Sequence, residues 1–115
     1  MTEFYTKLFV KIDISLQALL QVVASICNGD IDVMTVEAGR YEVDVLENKD
    51  ASVISDPSDF MSFDYIVEIV NIEDTTLDAY LEFTGNLMTK LNSNDAKVVA
   101  ACDWEEKLPG SGKLG

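Results

Sequence analysis

Three patterns in this chain point to an α+β fold, a two-layer sandwich in which an antiparallel sheet carries two helices on one face. Five segments read as strands, three of which (4–12, 40–47 and 64–72) place apolar residues at every second position, the period of a half-buried strand. Two others place them at the three-and-four spacing of an amphipathic helix. The helices fall after the first strand and before the last, and each must bury an apolar stripe, so both need the same apolar sheet face. With 115 residues, 48% of them hydrophobic, the chain holds enough apolar surface for one core, and surface scaling predicts a folded area of about 6,200 Å².

The first strand is expected over residues 4–12, where Leu8, Val10 and Ile12 alternate with Lys7, Phe9 and Lys11. That alternation puts Phe9 on the outward side. Ser15 is placed to cap the first helix, whose stripe is Leu16, Leu19, Leu20, Val23, Ile26 and Cys27, and Asn28-Gly29 ends it. Residues 32–37 and 40–47 form two strands around Ala38-Gly39; Tyr41, Val43 and Val45 alternate with Glu42 and Asp44, and Glu47 is one residue out of phase. Residues 48–63 carry turn chemistry at Asn48-Lys49-Asp50 and Asp56-Pro57-Ser58-Asp59 and read as a long loop, in which Ser52-Val53-Ile54 could pair briefly with a sheet edge. Residues 64–72 return as a central strand, with Tyr65, Val67 and Ile69 on one side and Ile66, Glu68 and Val70 on the other.

Thr75-x-x-Asp78 opens the second helix, whose stripe is Leu77, Tyr80, Leu81, Thr84, Leu87, Met88 and Leu91. Residues 97–104 make the last strand. The resulting order, β-α-β-β-β-α-β, is of the ferredoxin-like type with an added hairpin strand. It fills a single domain over residues 1–108, and the glycine-rich residues 109–115 read as a flexible C-terminal tail.

Composition narrows the chemistry. There is no histidine, which removes the commonest general base, the Ser-His and Cys-His nucleophile pairs and the imidazole metal ligands. Cys27 and Cys102 lack zinc-site spacing and sit among apolar residues as buried thiols. Gly110-Ser111-Gly112-Lys113 lacks the earlier Gly and the hydroxyl residue of a phosphate loop. No catalytic residue, cofactor or metal is therefore expected. The opening residues carry neither a basic segment nor a long apolar run, which implies a cytoplasmic protein with no membrane contact.

Charge is the strongest functional signal. The net charge is −13, which opposes direct contact with nucleic acid and favours a basic partner. Residues 30–82 hold 15 acids against Arg40 and Lys49, whereas the remainder holds six of each sign. Glu37, Glu42, Asp44, Glu47 and Asp50 are the expected acidic contact residues. Asp103, Trp104 and Glu105 join them because the only Trp of the chain is bracketed there by carboxylates, and Trp anchors interfaces.

The opening Leu8-Phe9-Val10-Lys11-Ile12-Asp13-Ile14, the acidic strands within 32–47 and the closing Val98-Val99-Ala100-Ala101-Cys102-Asp103-Trp104-Glu105 together resemble the small acidic immunity proteins of bacterial polymorphic and contact-dependent growth-inhibition toxin systems. The resemblance implies a non-enzymatic inhibitor that covers the active site or substrate groove of a cognate toxin domain with a basic surface, such as a nuclease. It transfers no contact residue, because interfaces differ among such proteins. Three other readings stay open: a small-molecule-binding regulatory module, a nucleic-acid mimic that inhibits several basic proteins, and a homodimer formed through an exposed strand.

Overall fold

Strand and helix periods resolve, in the computed structural model, into the order β1 (Tyr5–Lys11), α1 (Leu16–Cys27), β2 (Asp30–Asp32), β3 (Thr35–Ala38), β4 (Tyr41–Glu47), β5 (Tyr65–Asn71), α2 (Leu77–Ser93), β6 (Lys97–Ala101) and β7 (Lys113–Leu114). The structure describes residues 2–115; Met1, the first residue of the expected domain, lies outside them. Among the described residues the strands form one seven-stranded sheet in the order β2-β3-β4-β5-β1-β6-β7. Every neighbouring pair is antiparallel. The fold is thus α+β, with both helices packed on one sheet face.

The pleat sorts side chains as the alternation requires. Leu8 and Val10 on β1, Val43 and Val45 on β4, Val67 and Ile69 on β5, and Val98 on β6 are fully buried beneath the helices. From α1, Leu19, Leu20 and Val23 meet them; from α2, Tyr80, Leu87, Met88 and Leu91 do so. The Tyr80 hydroxyl donates to the Ile69 carbonyl (2.7 Å) and shares a hydrogen bond with Thr6 Oγ1 (2.9 Å), so the buried phenol is satisfied. Ser15 caps α1 by accepting from the Ala18 amide at 3.1 Å, and Asn28 closes it in the left-handed conformation. The accessible surface, 6375 Å², is close to the value expected from chain length.

Several boundaries differ from the sequence reading, each for a local reason. Seven strands replace five. The segment 32–37 is divided because Val33 takes a positive φ of 57° and turns the chain, making β2 and β3 a hairpin. Ser52-Val53 belongs to a 3₁₀ turn, not to a strand. Helix α2 is capped by Thr76, whose Oγ1 accepts from the Ala79 amide, because the Thr75 hydroxyl is bonded to the Tyr41 hydroxyl at 2.8 Å.

The segment expected as a flexible tail is instead built into the fold. Pro109 lies over Gly85 of α2, where an added Cβ would come within 3.2 Å of the proline ring. Gly110 and Gly112 then turn the chain at positive φ, Leu108 is buried, and β7 pairs with β6 through Val98↔Leu114 and Val99↔Lys113. The glycines act here as turn formers rather than as a flexible linker.

Candidate interaction surface

The sheet face opposite the helices is the feature that sequence periodicity alone leaves unassembled. Strand register places Asp30 and Asp32 (β2), Glu37 (β3), Glu42 and Asp44 (β4) and Glu68 (β5) on this open face. They form adjacent rows: Asp30, Glu37 and Glu42 are cross-strand neighbours, and Asp44 is directly opposite Glu68. Glu37 and Glu42 are likewise directly opposite. Like charges in such positions destabilise a sheet by roughly 0.2–1 kcal/mol a pair. Two hydroxyls soften the arrangement, as Thr35 donates to Asp44 at 2.5 Å and Tyr5 donates to Glu68. Burial first, then the hydrogen bond to Glu68 and the charge of that carboxylate, push the Tyr5 phenol well above its ordinary pKa.

Across the sheet the sign reverses. The outward charged residues of β1, β6 and β7 are Lys7, Lys11, Lys97 and Lys113, and Lys11 stands directly opposite Lys97. The two halves meet at the β5–β1 pair, where Glu68 is directly opposite Lys7, and half-buried Ile66, Val70 and Val99 with exposed Leu46 and Tyr5 lie among the charges on the same face.

The long loop crosses this face. Phe60 packs edge-on against Phe9 with ring centroids 5.1 Å apart, and the Lys7 ammonium lies 5.3 Å from the Phe9 ring centre. Phe9 is therefore only 7% exposed, although it points outward as its strand phase requires. Asn48 holds the loop in place by donating to the carbonyls of Met61 (2.9 Å) and Phe63 (2.8 Å). Phe63 is buried, whereas Met61 and, earlier in the loop, Val53 are exposed.

Of the eight expected contact residues, Glu37, Glu42 and Asp44 come together on the open face. Glu47 does not join them. It has the pleat phase of Val43 and Val45, projects to the helix side at the end of β4, and lines an open concavity of about 400 Å³ with Asn48, Asp64 and Tyr65. Asp50 is exposed in the loop beyond it. Asp103, Trp104 and Glu105 follow β6, and four strand spacings, about 19 Å, separate β6 from β3. Trp104 is half-buried in an aromatic group with Phe4 (5.6 Å) and Tyr80 (5.8 Å), so its indole closes the edge of the core instead of standing out as an anchor. Glu105 turns back to accept from the Cys102 amide at 3.2 Å. Asp30, Asp32, Glu68 and the four lysines were not in the expected set; continuing the period-2 alternation through Glu68 would have found that residue, but no local pattern reveals which strands are neighbours.

The remaining chemistry is quiet. Burial pushes the Cys27 thiol up to about 11 and the Tyr80 phenol up to about 12, and it also raises Cys102. These groups stay neutral near pH 7. The larger concavity, about 560 Å³, is an open groove between α2 and the C-terminal segment, lined by Leu81, Gly85, Lys107 and Pro109 among others. Among the described residues no group of three or more carboxylates and thiols is placed to hold a metal ion, and no helix is long and apolar enough to cross a membrane. Compared with known proteins, the chain matches no family model, no curated protein and no solved structure.

Proposed function

We propose that this protein is a non-enzymatic, protein-binding inhibitor acting in the cytoplasm, and that the acidic half of its open sheet face docks on the basic surface of a cognate toxin domain. The observation that carries the reading is the set of six carboxylates on four adjacent strands, with like charges directly opposed across strands. Such pairing weakens the isolated sheet, and a basic partner relieves it by placing Lys or Arg between the carboxylates in charge-assisted hydrogen bonds. The same field speeds encounter with a cationic surface and disfavours nucleic acid. A nuclease groove, whose basic residues otherwise hold phosphates, has the matching chemistry. The fold reading is ferredoxin-like at its centre, supported by the neighbour order β4-β5-β1-β6 with one helix after β1 and one before β6; β2, β3 and β7 are added at the edges.

The test is affinity capture from the native cell at low salt, followed by elution with rising salt and a repeat with E37K/E42K/D44K as bait. One stoichiometric basic protein is expected to be retained by the wild type, inhibited by it, and lost with the triple variant. Equal retention by the triple variant, or the absence of any stoichiometric basic partner, overturns the reading.

A further inference from the structure

We propose that the open sheet face is also the interface of a symmetric homodimer, in which the acidic half of each copy lies on the lysine half of the other. The separation of sign on this face is complete: all six outward acids lie on β2 to β5, and all four outward lysines lie on β1, β6 and β7. Half of the eight basic residues in the chain are gathered there. A two-fold axis lying in the face between the two halves carries each onto its opposite, which is the self-complementarity that an isologous interface requires. The strands of the two sheets then cross at a large angle, an established way for sheets to stack.

The relief is mutual. Glu37↔Glu42 and Lys11↔Lys97 are unfavourable within one copy and meet opposite charge in the dimer, whereas Glu68 is already opposite Lys7 within its own copy. One row of the face is apolar, Leu46, Ile66, Phe9 and Val99 across β4, β5, β1 and β6, so that association also removes apolar surface from water. Seven strands at sheet spacing give a face about 30 Å wide and about 20 Å long. Its projected area of about 600 Å², in which the loop at Phe60 covers Phe9 and itself becomes part of the contact, is close to the roughly 800 Å² that each partner contributes to a standard interface. The net charge of −13 opposes self-association at long range. Physiological salt confines that repulsion to about 8 Å, and the contacts across the face decide the outcome.

This inference goes beyond the inhibitor reading, because the dimer needs no partner and would compete with one for the same carboxylates. Sedimentation of the full chain at about 0.15 M salt tests it without any other protein. The wild type is expected to shift from 12.7 kDa towards twice that mass as concentration rises. E37K/E42K and K97E/K113E, both checked for native circular dichroism, are each expected to raise the dimer dissociation constant at least about tenfold. Mixing the two variants should restore a heterodimer, since one then presents lysines where the other presents acids. A wild type that stays monomeric to about 500 µM, or variants that dimerise as the wild type does and gain nothing on mixing, overturns the proposal while leaving the inhibitor reading intact.

Discussion

Val33 shows how one residue sets local topology. It sits at the tip of the β2–β3 hairpin with φ at 57° and its side chain 82% exposed. A β-branched residue in this region costs of order 1–3 kcal/mol, and so exposed a side chain recovers little by packing. Val33→Gly is therefore expected to raise the unfolding free energy by about 1 kcal/mol, read from urea melts. A lower stability would show that the valine makes contacts that outweigh the strain. Tyr80 is the opposite case. Its ring fills the core and its hydroxyl satisfies the buried Ile69 carbonyl, so the position favours Tyr over Phe for a polar reason that helical spacing does not register.

Among the elements, the acidic hairpin depends on a close approach at the end of α1. A Cβ on Gly29 would come within 2.7 Å of both the Glu37 carbonyl oxygen and Val36 Cγ1, so β3 packs where only glycine fits. Gly29→Ala is expected to cost about 2 kcal/mol, because either α1 or β3 must shift. The same change displaces the strand that carries Glu37, so thermal melting and partner affinity should fall together. Unchanged melting would mean that the hairpin is free to move away from the helix. At the other edge, β7 and its glycine turns cover β6 and leave a single two-residue strand as the sheet boundary. Short edges of this kind limit uncontrolled strand pairing.

At the scale of the whole molecule, charge works against the fold that displays it. Repulsion among the open-face carboxylates is screened by salt, so stability is expected to rise as ionic strength increases from about 0.01 to about 0.5 M. E37Q/E42Q should be more stable than the wild type by about 0.5 kcal/mol at low salt and should show a flatter salt response in urea melts. An unaltered slope would assign the salt effect to charges elsewhere on the surface. The opposed pair Glu37 and Glu42 is thus expected to cost stability, a cost that the proposed docking on a basic partner would offset.

The period-2 and helical patterns were sufficient for the core strands, both helices and the Ser15 cap, because these depend on local burial and local hydrogen bonding. The acidic nature of residues 30–82 was equally plain in the sequence. The open face was not, because its charged halves join residues as distant as Lys7 and Lys113, and only strand order and register bring them onto one surface. In the sequence Trp104 reads equally as an interface anchor or as a cover on the edge of the core, and the packing of Phe4 and Tyr80 around it is what shows the indole at that edge. The C-terminal glycines read as a flexible tail until Gly85 and β6 supply what they turn against. Local periodicity therefore determined the elements and their buried faces, whereas long-range pairing decided which exposed charges act together, since that depends on neighbours far apart along the chain.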